Sequence, residues 1–125
     1  MTVSLLAFGS QPSPGEGVAK AVTGVGSAVD VSTLATLRLD IDTTGTNMGC
    51  DPDLEVYFDH APTTSGPWTQ FSMVKQSHSF GPKKHVVLSG FDNAVRVRWQ
   101  VLQYGNGSLN FSLGVTGTGV AGTVT

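Results

Sequence analysis

Between Leu34 and Val115 the chain alternates apolar and polar positions by twos. Leu37-Leu39-Ile41, Leu54-Val56-Phe58, Val95-Val97-Trp99-Val101 and Leu109-Phe111-Leu113-Val115 each keep their apolar members on one parity. Successive side chains of a strand point to opposite faces, so this pattern predicts strands with one face on a core and one in water. The expected strands are 34–42, 54–59, 68–74, 86–88, 94–102 and 109–115. Glycine, proline, asparagine and serine fill the gaps between them. Asn106-Gly107 between two alternating runs reads as a hairpin turn, because both residues tolerate positive φ. No window carries a helical stripe longer than about one turn. The predicted fold is all-β: an antiparallel, jelly-roll-like β-sandwich with an extended N-terminal segment.

The two ends of the chain read differently. Val3 to Phe8 has strand character, but Gly9 to Gly15 with Pro12 and Pro14 interrupts it. Residues 18–25 and 28–31 then look like short strands. Residues 1–33 are therefore expected to form either a first hairpin of the sandwich or an arm that docks on a neighbouring subunit. Residues 34–125 form the sandwich body of a single domain. The Gly/Thr/Val/Ala stretch 117–125 is expected to be a frayed end or a late edge strand.

Composition narrows the function classes. A chain of 125 residues with 39% apolar side chains is long enough to bury a core. Sixteen glycines and only 13% charged residues favour sheet. Seven basic against nine acidic residues give a net charge of −2, which argues against a nucleic-acid partner. The single cysteine, Cys50, leaves no intramolecular disulfide, so stability is expected from packing, as in a reducing cytoplasm. Leu5-Leu6-Ala7-Phe8 is a short apolar patch with no basic residue before it, so no secretory signal is expected. No segment approaches the roughly 20 apolar residues of a membrane span, so no membrane association is expected.

Several elements together resemble a family of small structural proteins of tailed bacteriophages. Gly26-Ser27-Ala28-Val29-Asp30-Val31 is followed by Leu37-Arg38-Leu39-Asp40-Ile41-Asp42, similar to the family's LxLDV strand. Leu54 to Trp68 stands where the family has LDVTVxxSxDGxxW, with His60 to Pro67 replacing its acidic turn. Phe71 matches a phenylalanine-bearing strand. Gly90 to Val101 is similar to GLxRYVRVxWxV, with Ala94 in place of the usual aromatic, and Ser108 to Gly117 is similar to SxxFSVxG. The Leu5-Leu6-Ala7 start also fits. The likeness covers most of the chain, but it is a pattern of strands and turns without a catalytic signature. It implies a virion structural protein made in the host bacterial cytoplasm, associated with the head or the head–tail junction. A capsid decoration or cement protein is the leading expectation. A neck or tail component, or a carbohydrate-binding module contacting the host surface, is the alternative. The implied partners are the major capsid protein or other virion proteins, with the chain homo-oligomeric or present in high copy.

No pattern of catalytic residues stands out, and no enzyme activity, cofactor or metal is expected. Asp40, Asp42, Asp51, Asp53, Glu55 and Asp59 fall close together, and hard cations take several oxygen ligands. Asp40, Asp42, Asp53 and Glu55, however, alternate with apolar neighbours and have the parity of a solvent face, and no EF-hand spacing is present. His60, His78 and His85 lack the spacing of a zinc site, and nothing local supports Cys50 as a nucleophile. Trp99 shares parity with Val95 and Val97 and is expected in the core. Trp68 follows Gly66-Pro67 and is expected at a rim, where with Tyr57 or Tyr104 it could alternatively stack on a sugar ring. Arg38, Arg96 and Arg98 have outward parity, and on neighbouring strands they would stand beside Asp40, Asp42 and Glu55, or meet an acidic capsid surface. The candidate partner-binding residues are Val3, Leu5, Leu6, Phe8, Val18, Trp68, Arg96 and Arg98. An N-terminal arm paired with a neighbour's sheet edge predicts that deleting residues 2–21 abolishes particle binding and leaves a folded core.

Overall fold

The computed structural model describes residues 1–11, 20–44, 53–77, 83–103 and 111–122. In these residues the chain forms β1 (Thr2–Gln11), β2 (Lys20–Val25), the two-residue β3 (Val29–Asp30), β4 (Leu34–Asp42), β5 (Asp53–Ala61), β6 (Thr69–Ser77), β7 (Lys83–Ser89), β8 (Ala94–Gln103) and β9 (Phe111–Ala121). One sheet has the order β1-β9-β4-β7 and the other β2-β8-β5-β6, with β3 extending the pairing of β8. Every pairing is antiparallel. Setting the short β3 aside, this interleaving of two four-stranded sheets is the strand order of a jelly roll. Among the described residues, consecutive strands pair only in the β5–β6 hairpin.

The alternation along the chain selects the core. Leu37, Leu39 and Ile41 of β4, and Phe111, Leu113 and Val115 of β9, meet Leu54, Val56 and Phe58 of β5 and Val95, Val97, Trp99 and Val101 of β8. All are buried. Burying each such side chain contributes about 1.5–3 kcal/mol, so the facing rows supply the driving force of the fold. Trp99 closes one side of this core. Its indole lies over Gly24, where a β-carbon would come within 2.1 Å of the ring.

The N-terminal residues depart from the expectation. Residues 1–33 form neither a free arm nor a hairpin, because β1 pairs with β9 in one sheet and β2 pairs with β8 in the other. Val3 and Leu5 are 1% and 0% exposed and belong to the core. Gly9 and Ser10 do not end the strand; β1 absorbs its irregularity as register shifts between Ser4 and Leu6 and between Leu6 and Gly9, and still reaches Gln11. The deletion of residues 2–21 would therefore remove core side chains, and a folded remnant is no longer expected.

Two further expectations change. Residues 117–121 are no frayed end or edge. They complete β9, which lies between β1 and β4 and pairs with both. Glycine is required at Gly117, where an added β-carbon would fall 1.8 Å from the Arg38 carbonyl oxygen. Nor do the strands flanking Asn106-Gly107 form a hairpin: β8 and β9 belong to opposite sheets, and the turn itself lies outside the described residues.

Candidate functional site

The outer face of the β2-β8-β5-β6 sheet carries the densest chemistry among the described residues. Antiparallel register places Val25, Arg98, Tyr57 and Met73 in one cross-strand row. Thr23, Gln100, Glu55 and Lys75 form the next, and Arg96, Asp59 and Gln70 the one on the other side. Inward partners such as Val56, Val97 and Trp99 hold these strands on the core, so the outward side chains stand on a rigid floor.

Asp59 organises the face. Arg98 donates to it as a fork, Nε to Oδ2 at 2.6 Å and Nη2 to Oδ1 at 3.0 Å. Arg96 Nε donates to Oδ2 at 3.0 Å. The carboxylate is only 2% exposed beneath the two arginines, whose side chains are 25% and 33% exposed. Burial alone would raise its pKa, but the hydrogen bonds and charges of Arg98 and Arg96 outweigh that and hold it below the usual carboxylate range. The same hydrogen bond raises the pKa of Arg98.

Aromatic rings back both guanidiniums. Arg96 Cζ lies 4.6 Å from the Trp68 ring centroid, and Arg98 Cζ lies 4.7 Å from that of Tyr57. The Tyr57 hydroxyl donates to Glu55, which raises the phenol's pKa. Gln70 Oε1 accepts from Arg98 Nη2 at 3.3 Å. A continuous ladder results: Tyr57, Arg98, Asp59, Arg96, Trp68. The hairpin before β6 delivers Trp68. Within it, Gly66 N–H donates to the Thr63 carbonyl at 3.0 Å, and Ser65 N–H to Thr63 Oγ1 at 3.2 Å.

Of the residues singled out as partner-binding, Trp68, Arg96 and Arg98 converge here. The other described ones do not join them. Val3 and Leu5 are core residues, Leu6 packs against the core, Phe8 is 51% exposed on β1 in the other sheet, and Val18 lies outside the described residues. Arg38 sits on β4, so the three arginines form no single stripe. Arg96 and Arg98 pair with Asp59, not with Asp40, Asp42 or Glu55. Asp59 and Tyr57 are the residues that sequence reasoning undervalued as a site. The available signal was that both share the outward parity of Glu55 on β5.

The remaining candidates that are described have structural occupations. Asp40 pairs with exposed His85 across β4 and β7. Asp42 accepts from the Thr44 backbone and hydroxyl, and those hydrogen bonds hold its pKa low. His60 Nδ1 accepts from the Asp92 backbone N–H at 3.0 Å, and its ring meets Phe71 at 4.9 Å. Cys50, Asp51, His78 and Tyr104 lie outside the described residues. Among the described residues no three His, Cys, Asp or Glu side chains converge as metal ligands, and no helix is long and apolar enough to cross a membrane.

No protein-family model, curated protein or solved structure matches this chain.

Proposed function

We propose that this chain is a virion structural protein of a tailed bacteriophage, most specifically a capsid decoration protein that binds the head exterior and reinforces contacts between capsomers. The observation that carries the reading is the pre-ordered Arg/aromatic face on a jelly roll. Jelly rolls recur in viral capsid proteins, though fold alone does not assign function. Protein interfaces are enriched in tyrosine, tryptophan, methionine and arginine, the residue types that Tyr57, Trp68, Met73, Arg96 and Arg98 supply on one sheet face. The strand pattern of Leu37 to Asp42, Leu54 to Trp68 and Gly90 to Val101 adds the phage resemblance. Action would be mechanical: a rigid sandwich adds buried area at seams, where specific interfaces bury on the order of 1,200–2,000 Å².

The sugar-binding alternative draws on the same face, since jelly rolls also serve as lectin domains. It is less well supported, because one face of the Trp68 ring and one of the Tyr57 ring are already covered by a guanidinium. The deciding experiment is cryo-electron microscopy of the particle that carries this chain, with copies counted by mass spectrometry. Copy number near that of the shell protein, with density on the head exterior, is the expected result. A few copies confined to neck, tail or fibre would replace decoration by a connector or receptor-binding role.

A further inference from the structure

We infer that the Arg96–Trp68 end of the β2-β8-β5-β6 face receives a carboxylate side chain of a protein partner. The inference rests on the virion reading for the partner's identity, but not for its chemistry. Arg96 spends only Nε on Asp59. Among the described residues nothing accepts from its two terminal nitrogens, and the side chain is a quarter exposed. Asp59 fixes the guanidinium from one side and the Trp68 ring backs it. A planar guanidinium held this way offers a parallel pair of donors to a carboxylate at little further entropic cost. Charge favours the same ligand. Along the ladder Arg96 and Arg98 against the one carboxylate of Asp59 leave a net single positive charge, and Glu55 lies beyond the far, Tyr57 end.

A protein ligand fits better than a sugar. Val25 and Met73, 55% and 46% exposed, flank Arg98 and Tyr57 in the adjoining row. Exposed apolar side chains at both ends of a row beside a pre-ordered arginine make an anchor with a specific ion pair at its rim. Asp59, the group best placed to accept from sugar hydroxyls, already accepts three hydrogen bonds.

The test is an NMR titration of the full chain with a hexaglutamate peptide, following the Trp68 indole N–H and the Arg96 Nε–H. Both resonances are expected to shift, and the shifts should shrink as salt rises. Arg96→Gln should weaken binding at least about tenfold, the loss expected for a charge-assisted hydrogen-bond pair. Arg38→Gln, on the opposite sheet, should leave it unchanged. Arg96→Gln keeps the Arg98 fork on Asp59 and should fold. Should it not, Trp68→Ala gives the same readout through Arg96. Shifts confined to Lys83 and Lys84 would overturn the proposal, as would equal shifts with neutral maltohexaose, which would assign the face to sugar. In parallel, particles stripped of this chain are re-bound by each variant. Undiminished binding of Arg96→Gln would refute this contact while leaving decoration standing. Failure of the wild-type chain to bind particles would refute decoration, and the peptide titration would still decide the contact.

Discussion

Asp59 gathers more charge-assisted hydrogen bonds than any other side chain among the described residues. Three charge-assisted hydrogen bonds reach a carboxylate that is almost fully covered. Its pKa is lower in the folded state than the roughly 3.9 of an unfolded chain. The unfolded chain therefore binds more protons in acid, and stability from this group is complete above the unfolded value and lost as pH falls through the folded one. Urea unfolding of the wild type should show a falling midpoint between pH 5 and 2. In Asp59→Asn the midpoint should already be lower at pH 7, by a destabilisation of about 1–3 kcal/mol, and should fall less steeply in acid. That range lies below the cost of breaking a fully buried pair, because the arginines keep partial access to water. A slope matching the wild type would remove Asp59 from the account. Asp42, which Thr44 also holds low, keeps part of the slope in either protein. A second residue-scale test is Gly24→Ala. The methyl would enter the Trp99 ring, and overpacking of this kind costs about 1–3 kcal/mol, read as a lower thermal midpoint.

The strands show what alternation along a chain reports and what it leaves open. Parity names the face of a residue, so the inward sets of β4, β5 and β8, and Phe111 to Val115 of β9, were all legible. Parity says nothing about which strand lies alongside, and the pairing logic of local turns misleads in a jelly roll. Asn106-Gly107 looked like a hairpin, yet the strands on either side cross from one sheet to the other. The candidate site suffered in the same way. Outward parity identified Arg96 and Arg98, but their partner Asp59 is set by the register of β5 against β8, a long-range property. Small residues hid the ends. A Thr-Gly-Thr-Gly stretch has little apolar bulk to mark it, although β9 uses its glycines for close approach to β4. At the first strand, the apolar run of Val3 to Phe8 was visible but its docking in the same sheet was not. Deleting residues 2–11 removes the buried Val3 and Leu5, about 3–6 kcal/mol of hydrophobic stabilisation. Against a typical total of roughly 5–15 kcal/mol, that loss should abolish the cooperative urea transition. A deletion variant that still unfolds cooperatively would return this segment to the role of a dispensable arm.

At the scale of the whole molecule, the two ends of the described chain close one sheet together. The amino group of Met1 donates to the Gly119 carbonyl at 3.1 Å, and Gly119 N–H donates to the Met1 carbonyl at 2.7 Å, across 118 positions. β9 sits between β1 and β4, so the sheet holding half the core is incomplete until the C-terminal strand arrives. Long-range pairings of this kind require loop closure before they return any stabilisation, which makes all-β sandwiches fold in milliseconds to seconds. A single slow phase in that range is expected by stopped-flow tryptophan fluorescence, since Trp99 is packed only when β2, β5 and β8 have assembled around it. Truncation after Thr116 sharpens the argument. Among the described residues it removes no large core side chain, yet it strips β4 of its pairing from Leu34 to Leu39 and β1 of its pairing at Thr2 and Val3. If closure of the sheet governs stability, the truncated chain should lose its cooperative transition in urea. If buried side chains alone govern it, the chain should unfold near the wild-type midpoint. The first outcome is expected, because the strand lost lies between two others, and its removal leaves both with unpaired backbone groups beside the core.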